Sequence, residues 1–135
     1  MIFIDSNIPM YLIGADHPHK REAIALLEHV VTDRRRLVTN TEVFQEILHR
    51  YTAIQRKEAI QPAFDALRDL VDDVFPIHDR DIQEAKDLIL AYETLTARDA
   101  LHVAHMRLRH ITTLVSFDRG FDAFPDLTRL PSAEK

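Results

Sequence analysis

The sequence predicts one α/β domain with a mostly parallel five-stranded sheet, and three observations carry that expectation. Five short apolar runs, near residues 1–4, 37–39, 74–77, 111–115 and 127–130, have the length of strands. The longer segments between them repeat apolar residues every three or four positions, as amphipathic helices do. Strands alternating with helices favour a parallel sheet covered on both faces. The 135 residues fit one core, so a single domain is expected over 1–131, with a frayed tail at 132–135.

The run 1–4 ends abruptly in Asp5-Ser6-Asn7, which reads as a buried strand with polar residues at its exit. A short helix over 8–13 follows, with Pro9 in its first turn and Gly14 near its end. Ala23, Leu26, Leu27, Val30 and Val31 mark a helix over about 19–33. After the second strand, Asn40 or Thr41 caps a helix running to about 54, striped by Val43, Phe44, Ile47, Leu48 and Tyr51. A helix over 57–71 is expected next, with Pro62 in its first turn. Pro76 gives the third strand an edge position. Asp79 opens a helix through Tyr92, and Thr96 caps another to Leu108. The fourth strand exits into Ser116-Phe117-Asp118, and 127–130 supplies the last strand.

Composition excludes several classes. No run is apolar and long enough to span a bilayer, and the N-terminus has no signal-peptide pattern. There is no cysteine, hence no disulfide or thiolate chemistry, and a cytoplasmic setting is the simplest expectation. The net charge of -5 is not the broad positive field of a nucleic-acid coat protein. Arg34-Arg35-Arg36, Lys20-Arg21 and Arg107 with Arg109 read as solvated surface. Only two glycines exist, so no glycine-rich loop cradles phosphate.

Four acids stand where an open α/β sheet collects its ligands, outside the C-terminal strand ends. Asp5 and Asp118 follow the first and fourth strands. Glu46 lies within the first two turns of the helix after strand two, and Asp99 in the first turn of the helix before strand four. If strands one and four are neighbours, all four face one end of the sheet. Clustered carboxylates repel, and a hard divalent cation such as Mg²⁺ relieves that conflict. Acids are also common at helix starts for reasons of the helix dipole alone.

The local wording sharpens the pattern. Ile4-Asp5-Ser6-Asn7 resembles the opening motif of PIN domains. Residues 40–48, with Glu46 in the acidic place, resemble the second motif, and 97–104, around Asp99, the third. Residues 114–121, with Ser116 and Asp118, resemble the fourth. These motifs run in family order from Ile4 to Phe121. The resemblance implies a three-layer α/β/α fold with strand order 3-2-1-4-5. It implies a Mg²⁺-dependent ribonuclease, with Mn²⁺ an alternative, and for a small stand-alone chain a VapC-type toxin of a toxin–antitoxin pair. Such a protein acts on RNA, dimerises, and is held inactive by a small antitoxin. It further implies that Asp5, Asp99 and Asp118 hold metal and that Glu46 completes the catalytic set. Asn7 and Ser116 would support the carboxylates. Gly120 stands where many relatives carry a further acid, so Asp122 is either a substitute acting through a water or a plain surface residue, and Glu42, a second acid on the Glu46 helix, is either a cap-region residue or a peripheral member of the site.

His102 and His105 read as surface or packing positions of their helix, and His17 and His19 as loop residues. Tyr11, Phe44 and Tyr51 read as packing residues that would make a dimer or antitoxin groove if they faced outward together. A catalytically weak PIN-like module that binds RNA or protein is the competing expectation, supported by Gly120 and opposed by the four intact acids. A phosphatase or receiver domain built on Asp5 lacks its companion groups.

Overall fold

A computed structural model describes residues 1–132. The expected fraying of the tail falls, from residue 133 on, outside the described residues. The elements are β1 (Ile2–Ile4), α1 (Asn7–Ile13), α2 (Pro18–Thr32), β2 (Leu37–Asn40), α3 (Thr41–Ala53), α4 (Ile60–Leu70), β3 (Asp73–Phe75), α5 (Asp79–Ala91), α6 (Ala97–Leu108), β4 (Thr113–Val115) and β5 (Thr128–Leu130). Short 3-10 turns occupy Lys57–Ala59 and Arg119–Ala123.

All five strands are parallel, in the order β3-β2-β1-β4-β5. The middle place belongs to β1, whose Ile2, Phe3 and Ile4 are fully buried. Burying each such side chain contributes about 1.5–3 kcal/mol, so this strand anchors the core. From β1 the chain moves outward to β2 and β3, then crosses back to β4 and β5. Right-handed crossovers therefore place α1–α4 on one face and α5 with α6 on the other. The strand order reverses between β1 and β4, which opens a crevice at their C-terminal ends. The register there pairs Ile2 with Thr113, Phe3 with Leu114 and Ile4 with Val115. Asp5 and Ser116 leave the sheet side by side as a result.

Side-chain caps set the helix starts nearest the crevice. Asn40 Oδ1 accepts from Val43 N at 3.0 Å, and Thr96 Oγ1 from Asp99 N at 3.2 Å. Three helix exits pass through left-handed backbone at Arg34, Gln55 and His110, each with φ 58°. None is glycine, the usual residue for that conformation.

Some boundaries differ from the sequence expectation. The helix over 57–71 is a 3-10 turn followed by α4, with Pro62 in the first turn of α4. The third strand ends at Phe75, because Pro76 has no N–H to continue the ladder. The fourth begins at Thr113 rather than at 111. Of the three aromatic residues expected to pack, Phe44 and Tyr51 are buried, Phe44 against Phe64 with ring centroids 4.8 Å apart, while Tyr11 is only half-buried.

Candidate active site

Asp5, Glu46, Asp99 and Asp118 line one open cavity of about 810 Å³ at the C-terminal ends of β1 and β4. Its rim adds Asn7 and Tyr11 from α1, Arg50 from α3 and Arg98 from α6. The Ser116 hydroxyl ties the floor together. It donates to Asp5 Oδ2 at 2.6 Å and accepts from Asp118 N at 3.0 Å and Asn7 Nδ2 at 3.3 Å. That uses its one donor and both acceptor positions. Ser6 N donates to Asp5 Oδ1 at 2.8 Å, so both Asp5 oxygens are held in place. Asn7 Oδ1 in turn accepts from Phe117 N at 3.3 Å, fastening α1 to the exit of β4.

The electrostatics are those of a site with too much negative charge. Burial, then the charges of Asp118 and Asp5, push the Asp99 carboxyl up to about 6. Burial also raises Asp5 above its ordinary value; Glu46 adds to the rise, while His102 and the Ser116 and Ser6 hydrogen bonds oppose it. A hard oxygen donor set under mutual repulsion fits a divalent cation.

A PIN-domain family profile matches residues 2–127, nearly the whole chain. The chain belongs to the PIN-domain family. Ribonuclease VapC13 of Mycobacterium tuberculosis is 59% identical over 130 residues, spanning 96% of this chain and 99% of that protein. Among solved structures, VapBC2 from Rickettsia felis, bound to a promoter DNA fragment, has a TM-score of 0.73 at 19% identity, covering 96% of this chain and 97% of that one. VapC20 of Mycobacterium tuberculosis, a sarcin–ricin-loop-cleaving toxin, has a TM-score of 0.71 at 19% identity, covering 93% and 95%. At that identity the two structures establish the shared fold.

In this PIN domain, position 120 lies against the acids. A Cβ on Gly120 would stand 3.1 Å from Asp118 Oδ1 and 3.3 Å from Asp99 Oδ2. The glycine instead lets its own N–H reach Asp118 Oδ1 at 2.8 Å. Asp122 does not take the place of the missing acid. Both its oxygens are held by Arg129, at 2.9 and 3.0 Å, and it does not line the cavity. Glu42 is half-buried one turn before Glu46, in a neighbouring hollow with Ile82, Lys86 and Arg98. Burial and then the Glu46 charge raise its carboxyl above the ordinary value.

His102 is the residue that sequence reasoning placed wrongly. It is neither a surface position nor a packing residue alone: it is 1% exposed, with Nε2 2.9 Å from Glu46 Oε2 and 4.0 Å from Asp5 Oδ1. Asn40 settles its tautomer. Because Asn40 Oδ1 accepts from Val43 N, the Asn40 amide must point its Nδ2 at His102 Nδ1, 3.3 Å away. An amide nitrogen only donates, so His102 Nδ1 accepts and Nε2 carries the proton given to Glu46. Asp5, Glu46 and His102 lie with one side-chain N or O atom of each within 4.8 Å of the others, and with its proton on Nε2 His102 serves there as a donor to Glu46 rather than as a metal ligand. The available signal was spacing: His102 lies one turn after Asp99, on the helix that faces Glu46.

Replacing His102 with Leu leaves the Glu46 carboxylate buried without its donor. A loss of about 1–3 kcal/mol is expected in urea unfolding, with His102→Gln recovering part of it through its side-chain N–H. Equal stability of His102→Leu and the parent would contradict the contact. His105, by contrast, is buried between Phe3 and Phe75, and neither ring nitrogen has a partner among the described residues. Burial, then the Arg109 charge, hold it at about 3, so it is a neutral core ring.

Proposed function

We propose that this PIN domain is a divalent-metal-dependent ribonuclease, the toxin of a toxin–antitoxin pair. The observation that carries the reading is the convergence of Asp5, Glu46, Asp99 and Asp118 on one cavity at the strand-order reversal. The 59% identity to a ribonuclease of the VapC group supports RNA as substrate.

Asp5, Asp99 and Asp118 would hold the metal, Mg²⁺ or Mn²⁺. Bound there, the ion supplies a water of lowered pKa and neutralises charge on the phosphodiester oxygens. The chain's own groups do the positioning. Ser116 and Ser6 N fix the Asp5 oxygens. The His102 N–H fixes one Glu46 oxygen and leaves the other to orient a water. Arg50 and Arg98, both exposed on the rim, are placed to meet flanking phosphates. Hydrolysis would leave a 5′-phosphate and a 3′-hydroxyl.

A small antitoxin and a second copy of the chain are the proposed protein partners. The exposed apolar side chains Ile82, Ile89 and Leu90 on α5 support an interface there. Among the described residues, no helix is long and apolar enough to cross a membrane.

The test is cleavage of total RNA, ribosomal, transfer and messenger together, with Mg²⁺, with Mn²⁺ and with chelator. Cleavage that needs the metal supports the proposal, and cleavage undiminished by chelator overturns it. RNA bound but never cut would favour the binding-module reading.

Stability should report the metal as well. The Asp99 value of about 6 lies above the 3.8 of a free carboxyl. The metal-free folded state therefore binds this proton more tightly than the unfolded chain does. The resulting penalty is absent below the unfolded value and grows as pH rises through roughly 4 to 6. A cation removes that penalty where Asp99 is ionised and competes with protons where it is not. The rise in Tm caused by Mg²⁺ is thus expected to be larger at about pH 7.5 than at about pH 5. Equal shifts at both pH values would contradict it.

A further inference from the structure

Three rings cluster near the carboxylates, with Tyr11 at the cavity and Phe117 also packed against the core. Tyr11 lies one turn beyond Asn7 on α1, so the two side chains share a face, and both line the acid cavity. Phe117 sits between the site residues Ser116 and Asp118. His19, at the start of α2, stacks on Phe117 with centroids 4.1 Å apart and planes 14° from parallel. Tyr11 stands edge-on to both, at 5.1 Å and 88° to His19 and at 5.3 Å and 78° to Phe117. All three rings are only half-buried. Arg50 and Arg98 line the same cavity as Tyr11.

We propose that Tyr11, backed by the His19–Phe117 stack, is a base-stacking subsite that selects an unpaired RNA segment beside the carboxylates. The inference rests on the ribonuclease reading and adds what the enzyme grips. A ring and two arginines lining one cavity match the two surfaces of a single strand, whose bases offer π faces while its backbone offers phosphates. A duplex keeps its base faces stacked inside and offers only phosphate and groove edges. The ring cluster is also pre-set. The contacts among the three rings, together with the hydrogen bond from Phe117 N to Asn7 Oδ1, fix Tyr11 relative to Asp5 and Asp118. A stacked base would therefore register the neighbouring phosphate against the acids. The histidines expected to be plain loop residues do structural work here: His17 caps α2 by accepting from His19 N at 2.9 Å and packs on Tyr11 at 5.0 Å.

The test measures binding without cleavage, in the Asp99→Asn background, by fluorescence anisotropy. Two labelled probes are compared: a mixed-sequence single-stranded RNA of about twelve nucleotides, and an abasic ribose–phosphate chain of the same length. Tyr11→Leu keeps apolar bulk at the turn but removes the stacking face. It is expected to weaken RNA binding by about 5- to 100-fold and to leave the abasic chain unchanged. Tyr11→Phe should bind RNA as the parent does. Arg98→Ala should weaken both probes alike. The subsite is overturned if Tyr11→Leu binds RNA like the parent, or weakens both probes equally. If the background protein binds RNA and abasic chain equally while the wild type still cuts RNA, stacking fails and the ribonuclease reading stands. If neither probe binds and the wild type cuts nothing, both fall.

Discussion

Asp99→Asn is expected to abolish most RNA cleavage and, at the same time, to make the metal-free protein more stable. The two effects have one cause. Asp99 carries a charge that Asp118 and Asp5 repel, on a carboxyl that burial already penalises. An amide of the same size removes that charge and leaves the Thr96 cap on the Asp99 backbone N–H intact. At neutral pH the relief should be about 1 kcal/mol once solvent screening of a half-exposed group is allowed for. Activity should fall by about 10²- to 10³-fold, the scale seen when one electrostatic element of an active site is deleted. The Tm gained from Mg²⁺ should largely disappear with it. A variant that is both less stable without metal and fully active would remove Asp99 from the metal set. Purely structural acids behave in the opposite way, since losing one costs stability and nothing else.

The second large effect lies at the end of α6 remote from Asp99. Arg109→Met is expected to destabilise the domain by about 3–5 kcal/mol, because it strands a buried carboxylate. Asp81 is fully buried, and Arg109 Nη1 and Nη2 grip its two oxygens at 2.7 and 3.2 Å. The same Asp81 accepts from His78 N at 2.8 Å to cap α5, and Arg109 also donates to the carbonyls of His105 and Pro76. One ion pair thus joins the start of α5, the end of α6 and the exit of β3. Burial alone would raise the Asp81 carboxyl, but the Arg109 and His78 contacts hold it below its ordinary value. A depressed carboxyl contributes stability that is present above the unfolded value and is lost as pH falls through the folded one. The deficit of Arg109→Met in urea unfolding should therefore narrow at about pH 4. Replacing both partners by apolar residues should cost much less than replacing Arg109 alone. A single variant no worse than the double would contradict the account.

How far the sequence could be read depended on whether an element has one buried face or many. The run Met1–Ile4 could only be a buried strand, and Asp5 at its end could only point out of the sheet. Strand order rested on motif resemblance, and the Ile4–Val115 pairing then set Asp5 beside Ser116. Periodicity served α3 for four of its five expected positions, since Val43, Phe44, Ile47 and Tyr51 are buried and Asn40 marks the start, while Leu48 is exposed. It failed on α6, because Ala100 through Met106 are buried without a break. A helix covered on all sides has no apolar face from which to infer where a histidine points. His102 was therefore read as ordinary although it contacts Glu46, and the lack of a hydrogen-bond partner for the His105 ring nitrogens among the described residues was equally hidden. The sequence left Asp122 open between a site role and plain surface for another reason. Its partner, Arg129, lies on β5, and that pairing depends on tertiary register, which local spacing does not encode. Tyr11 shows a related limit, since an aromatic residue on a helix reads as core until the neighbouring loop is placed.

The central claim is that the four carboxylates form one metal site. The most direct test is a crystal soaked in Mn²⁺ and measured for anomalous scattering. The account predicts a peak in the cavity, at about 2.0–2.3 Å from oxygens of Asp5 and of Asp99 or Asp118, which is lost in Asp99→Asn crystals. No peak in the cavity at saturating Mn²⁺, with RNA cleavage persisting in chelator, would contradict it.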